Sequence, residues 1–452
     1  MRAAIVSITL AFGISAGQDA RSVLDQAVKT MGNPKTIQFS GTGALFTLGQ
    51  NVNPAAPWPR VELKSFTRAV DYGAQSARND AVGPQGPAPS QFVSGDRAWG
   101  QSAAGVITPA PNIAAERQLQ IWLTPHGFLK GALAGNATAR SRKSSGRKVT
   151  EVSFNHGKHR IVGAISENNL VEKVETWLDN PVLGSMHVET AYSGYRDFGG
   201  VKFPARIVQK QGGFPVLDLT VTEARPEAAV SISVPDAARP AAPPAVKVAS
   251  EKLSDGVWYL TGGSHHSVAV EFRDHVAVIE APQNEERSRA VMAEVARLIP
   301  NKPLRYLVNT HHHFDHSGGL RAYVAERVPV VTHRINAPFY QRIMKGGRKP
   351  KLISVDARHV LTDGARTVEI HHIQGNPHND GILMAYLPRE KILVEVDVYS
   401  PPPPNAPPPA SPNPATVNLY DNIARLKLDV DRIAALHGRV ATLADLRKAA
   451  GK

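Results

Sequence analysis

Residues 309–319 read Asn-Thr-His-His-His-Phe-Asp-His-Ser-Gly-Gly. His311, His313, Asp315 and His316 thus fall in one short stretch. The run Leu304 to Val308, which follows Pro303, is apolar and β-prone and predicts a buried strand. After the cluster, Ser317-Gly318-Gly319 predicts a turn and Leu320 to Glu326 a short helix. The histidines and the aspartate therefore belong to a loop at the C-terminal end of a strand, where α/β folds place their sites.

The donor types suit a metal. Neutral imidazole and carboxylate are zinc ligands. On extended chain His311 and His313 project to one side, because side chains alternate, so they can share one cation. Asp315 and His316 follow and can reach a second. A solvated histidine-rich loop is the plainer reading of one or two histidines. Four donors in H-x-H-x-D-H order, between a strand and a Gly-Gly turn, argue against it. The chain has no cysteine, so any metal is held by nitrogen and oxygen, and neither a disulfide framework nor a thiol nucleophile exists.

The motif resembles the signature of the metallo-β-lactamase superfamily. The resemblance extends over residues 247–452: His378 in Gly375-Asn376-Pro377-His378, Asp397 at the end of the apolar run Ile392 to Val396, and His437 in Ala434-Ala435-Leu436-His437-Gly438 match the family's remaining ligand positions in order and approximate spacing. It implies an αββα sandwich. It also implies one zinc on His311, His313 and His378, a second on Asp315, His316 and His437, and Asp397 as the bridge. Two such cations would lower the pKa of a trapped water from about 15.7 to near 7 and make it a nucleophile. Asp315 would orient it. Iron or manganese fits the same donors. The loop that carries His265 and His266 overhangs the cleft in such folds, so His265 or His266 is expected at the substrate, with polar turn residues the plainer reading of either. Glu280 stands where the family commonly has an aspartate, and a hydrogen-bonding role behind the ligands is expected to survive. His371 and His372 are expected to be ordinary strand residues.

The 452 residues allow two or three domains. Ala20 to Met31 predicts a helix stopped by Gly32. Strand-like runs follow at 36–47, 61–72 and 91–99, then a helix pair within 117–133. Further strands are expected at 149–155, 159–166, 171–178, 186–195, 201–211 and 216–222. The expected fold class is α+β: an N-terminal curved antiparallel sheet with helices, followed by the αββα sandwich. The N-terminal pattern is similar to periplasmic lipoprotein-carrier-like half-barrels, which implies a concave face able to take an apolar ligand. Arg140 to Lys148 reads as a solvated basic loop. Residues 235–246, rich in Pro and Ala, read as a semi-rigid linker without regular structure. Met1-Arg2, the apolar run Ala3 to Ser15 and the small residues Ser15-Ala16-Gly17 predict a signal peptide spanning 1–17. The domains expected are then 18–234, the linker 235–246 and the catalytic domain 247–452. Export, to the periplasm in a Gram-negative cell, follows, and no later segment is apolar enough to span a bilayer.

The net charge of +13 favours anionic partners. It is dispersed, and aromatics are 6%, which disfavours a nucleic-acid stacking surface. The expected activity is a dinuclear zinc hydrolase acting on a small ester, thioester, lactone or amide. A β-lactamase ranks second, because the subclass with this motif lacks a carboxylate at the position of Asp397. A non-catalytic periplasmic lipid- or polymer-binding protein is the third reading.

Overall fold

The computed structural model describes residues 16–144, 146–239, 245–404, 406–407 and 409–452. Most of the expected signal peptide thus lies outside the described residues. The chain forms two compact units. The first comprises residues up to Phe46, Arg60–Leu178 and Ser185–Pro243; the second comprises Thr47–Pro59, Asp179–Gly184 and Pro244–Lys452.

In the first unit, fourteen strands among the described residues form one sheet, from Ile107–Pro109 at one edge to Thr138–Ser144 at the other. The strand Thr36–Phe46 pairs antiparallel with both Arg60–Asp71 and Phe214–Pro226, so the two ends of the unit meet in mid-sheet. Side-chain alternation drives the fold: Met186, Val188, Thr190 and Tyr192 are buried on one face of a single strand. Helix Pro125–Ala134 begins at an N-cap, Thr124, whose side chain accepts from the Gly127 amide. Phe128 of this helix presses on Gly163, where a Cβ would lie 2.2 Å from the Phe128 Cζ. A cavity of about 430 Å³ is lined by Phe66, Arg68, Val70, Phe92, Ile121 and Leu217, among others.

Several local expectations change. Residues 91–99 are two strands, Ser90–Ser94 and Arg97–Gln101, because Gly95 adopts a positive φ and reverses the chain. The basic run 140–148 is not a loop. It forms strands Thr138–Ser144 and Arg147–His156, and its charge is balanced across strands by Glu151 and Glu172. Within the linker, Asp236–Ala238 forms one 3₁₀ turn, and Ala238 is buried against Phe92 and Trp99. A small apolar residue held by neighbouring aromatics outweighs the Pro/Ala composition. Strand Ser76–Gly83 had no readable pattern, since its residues are short or polar.

The second unit is the αββα sandwich. One sheet has seven strands in order of sequence, from Ala249–Ser254 to Leu352–Val355. Its first strands form an antiparallel meander, and Val276–Ile279, Leu304–Val308, Val330–His333 and Leu352–Val355 run parallel. The other sheet has six strands, from Arg358–Thr362 to Val440–Thr442. Strand Val276–Ile279 shows the layering. Val276 and Val278 pack with Val291 and Val295 of helix Glu285–Leu298, while Ala277 and Ile279 face the core between the sheets, with Ile370 and Met384. On the far side, helices Pro414–Leu426 and Leu443–Ala449 bury Leu419, Ile423 and Leu446 in the same inter-sheet cluster. Residues 363–366 form a turn in which the Asp363 side chain accepts from the amides of Ala365 and Arg366.

Candidate metal centre

Each group of the site leaves the end of a strand. Leu304–Val308 delivers the 309–313 loop and, in place of more loop, the short helix Phe314–Ser317 that carries Asp315 and His316; Val276–Ile279 delivers Glu280, Ile392–Glu395 delivers Asp397, and Arg432–Ala435 delivers His437. His378 lies between Thr367–His372 and Leu383–Leu387; His265 and His266 lie between Val257–Thr261 and Ser267–Glu271. Both sheets thus contribute at one end of the sandwich. Glu280 and Asp397 take φ values of 79° and 63°. For a side chain with a Cβ this costs on the order of 1–3 kcal/mol. The strain turns each carboxylate sharply off its strand.

All seven predicted ligands come together. The ligand atoms of His311, His313, His378 and Asp397 lie within 4.8 Å of one another, as do those of His265, Asp315, His316 and His437. Asp397 faces both groups. Its Oδ2 is 3.3 Å from His311 Nε2, 3.1 Å from His378 Nε2 and 3.0 Å from His316 Nε2, and its Oδ1 is 2.7 Å from His437 Nε2.

These donors fit divalent cations. The buried His313 Nδ1 has no hydrogen-bond partner, and His311 Nε2 and His378 Nε2 meet the Asp397 carboxylate alone. Orphaned imidazole nitrogens clustered in a dry interior are costly unless something accepts their lone pairs. Ligand bonds of about 2.0–2.2 Å to nitrogen and oxygen require separations of this order.

The electrostatics point the same way. Burial, then the neighbouring His313, lowers the His311 pKa well below its ordinary value. Burial and His378 lower His313 to about 4. Both rings are therefore neutral lone-pair donors at pH 7. Burial alone would raise the pKa of Asp315, but its hydrogen bond to His265 and the charge of His316 outweigh burial and hold it below the usual carboxylate range. Asp397 is likewise lowered against burial, chiefly by His316. Burial opposes charge on His316 too, yet Asp397, Glu280 and Asp315 together raise it to about 9. One site thus concentrates carboxylate charge that His316 partly balances and that a cation would neutralise.

Around the ligands, Glu280 is fully buried and accepts from Asn309 Nδ2 at 2.6 Å, from the Ala281 amide at 3.2 Å and from Thr310 Oγ1. His437 Nδ1 is 3.0 Å from the Ser264 carbonyl. His265 Nε2 is 3.3 Å from Asp315 Oδ2, which places it inside the second cluster, where the sequence suggested a substrate contact. His266 is in neither cluster: it is buried beside Tyr259, with its amide bonded to Leu436 O. His371 and His372 are occupied by Glu369 and the Asp380 carbonyl.

Sequence reasoning missed Gln50, Asn51 and Asn379. Gln50 Nε2 donates to Asp315 Oδ1 at 2.7 Å, and Asn379 Nδ2 is 3.2 Å from His312 Nδ1. No local pattern marks them. Gln50 lies 265 residues from its partner.

Residues 260–415 match the sequence profile of the metallo-beta-lactamase superfamily. The C-terminal half therefore carries a domain of that superfamily. Among curated proteins, subunit alpha of 2,4-dinitroanisole O-demethylase from Nocardioides sp. (strain JS1661) is 25% identical over 150 residues. That is 33% of this chain, and it spans less than half of the relative, 45%. Among solved structures, a metallo-beta-lactamase from Pontibacter korlensis is 18% identical, with a TM-score of 0.38, covering 45% of this chain and 98% of its own. Another, from Hirschia baltica, is 19% identical, with a TM-score of 0.37, covering 45% and 97%.

Proposed function

We propose that this protein is an exported, metal-dependent hydrolase with a two-cation centre, acting on a small ester, thioester, lactone or amide. The observation that carries the reading is the Asp397 carboxylate, approached by four imidazoles from two different clusters. His311, His313 and His378 would hold one cation, and Asp315, His316 and His437, joined by His265, the other, with Asp397 between them. Zinc is the expected ion, and iron or manganese suits the same donors. The cations supply Lewis acidity, lowering a water's pKa and polarising a carbonyl.

The chain's own residues do the rest. Neutral His311 and His313 keep their lone pairs turned inward. Asp315 stays ionised at neutral pH, clamped between Gln50 and His265, as a fixed acceptor beside the attacking water. Glu280 and Asn309 hold the motif loop to its strand. Export rests on the basic, apolar and small-residue sequence of 1–17.

A second reading is cleavage of an activated aryl methyl ether, which the name of the demethylase relative suggests. The test uses purified full-length protein and elemental analysis, followed by a panel of nitrocefin, thioesters, lactones and 2,4-dinitroanisole. Two metal ions per chain and chelator-sensitive turnover of a thioester or lactone are expected. Turnover of nitrocefin alone would move the assignment to β-lactams, and of dinitroanisole alone to ethers. A chain that binds no metal would defeat all three.

A further inference from the structure

Thr47–Pro59 connects two strands of the first unit, yet it folds with the second. It runs along the histidine motif residue by residue. The Gly49 carbonyl accepts from the Phe314 amide at 3.3 Å. Gln50 Nε2 donates to Asp315 Oδ1 at 2.7 Å. Asn51 receives two rings: its carbonyl is 3.0 Å from His313 Nε2, and its Oδ1 is 3.1 Å from His312 Nε2. The Val52 carbonyl accepts from the Asp380 amide at 2.8 Å, and Asn53 Nδ2 donates to Asp380 Oδ2 at 2.8 Å.

The segment is built for this position. Asn51 is buried, and its Nδ2 donates to Asn53 O and Ala56 O, closing the loop on itself. Gly49 has a φ of +70°, and a Cβ there would lie 2.2 Å from Phe314 Cγ. Only glycine meets both demands. Trp58, 4% exposed, meets Phe314 edge-on at 6.2 Å between ring centres.

The chemistry follows from what each partner can do. A backbone carbonyl only accepts, so the proton of His313 sits on Nε2. The Asn379 amide lies farther from that nitrogen, at 3.4 Å, and is closer to His312 Nδ1. The lone pair of His313 is then on Nδ1, the atom left orphaned toward the first cluster. Fixing the tautomer and orientation of a ligand ring through its far nitrogen is a general determinant of metal affinity. Gln50 performs the same service for the carboxylate of Asp315 in the second cluster.

We infer that Gly49–Asn51 is a working part of the metal centre, with Asn51 positioning His313 for the first cation and Gln50 positioning Asp315 for the second. This rests on the two-cation reading above.

The test is a Co²⁺ titration of the full-length, chelator-stripped protein, followed by its visible absorption and by elemental analysis. Gln50→Met keeps the length of the side chain and removes the donor. It is expected to weaken the second cation about 10- to 100-fold, leave the first within twofold and alter the absorption of the second site only. Gly49→Ala, which displaces the segment from Phe314, is expected to weaken both. Wild-type affinity and spectrum in both variants would overturn the inference. So would equal weakening of both sites in Gln50→Met together with a lowered melting temperature, because that is the mark of general loosening. A wild-type chain that takes up no Co²⁺ removes the two-cation reading itself, an outcome distinct from either.

Discussion

Replacing Glu280 by glutamine separates two roles of one buried carboxylate. Asn309, Thr310 and the Ala281 amide all donate to it. Glutamine keeps one acceptor oxygen and turns an NH₂ toward Thr310, whose hydroxyl can reverse and accept. The loss is the difference between charge-assisted and neutral hydrogen bonds, about 1 kcal/mol for each bond affected. Burial acts in the other direction. It is the largest influence on Glu280 and raises its pKa from 4.5, against the lowering effects of His316, Thr310, Ala281 and Asn309. For a raised carboxyl the stabilising contribution is complete below the unfolded value and is lost as pH rises through the folded one. At pH 7 the wild type bears that cost and the amide does not. The two effects oppose each other, so metal-free Glu280→Gln should unfold in urea within about 1.5 kcal/mol of wild type. Metal binding has no such compensation. Glu280 Oε2 lies 3.7 Å from His316 Nδ1, and removing its charge makes that ring a poorer donor. The second cation should bind about tenfold more weakly, roughly 1.4 kcal/mol. Urea unfolding of the stripped protein and Zn²⁺ competition titration measure the two quantities. A loss of more than about 3 kcal/mol in unfolding with unchanged metal affinity would refute the reasoning and leave Glu280 a purely structural residue.

His313→Ala and His316→Ala should each retain about one metal ion per chain by elemental analysis, and each should lose at least about 100-fold of any hydrolytic activity. The metal-free protein should weaken on the alkaline side. His316 is raised from 6.5 to about 9, so its contribution is complete below pH 6.5 and is lost as pH rises through 9. The ceiling is roughly 3 kcal/mol, and thermal melts from pH 6 to 10 should show the decline in stripped protein and not in metal-loaded protein. Gly163→Ala drives a methyl into the Phe128 ring and should cost about 1–3 kcal/mol in the first unit, read by urea unfolding, while metal content stays unchanged.

The residues that converge in the two clusters were legible because most pair a metal-binding type of side chain with a strand end, and both signals are local. What failed to show was non-local or conditional. Residues 140–148 look like a solvated loop until Glu151 and Glu172 arrive across neighbouring strands to balance them. Ser76–Gly83 carries too little apolar area to announce itself and is held by its neighbours in the sheet. His265 and His266 are adjacent in sequence, yet one faces Asp315 and the other packs beside Tyr259, a division set by the alternating directions of an extended segment. Gln50 and Asn51 are ordinary polar loop residues in every local respect.

The hydrogen bonds that tie Gln50 and Asn51 to the motif span 265 and 262 residues, and His437 joins the second cluster from 121 residues beyond His316. A polypeptide synthesised from its N-terminus has made residues 47–59 long before 311–316 exist, and His437 arrives later still. Once Asp397 is made, every residue of the first cluster exists, while the second still lacks His437. The proposed second cation can thus be taken up only after residue 437 is made, and a chain stopped short of it would have an incomplete second cluster.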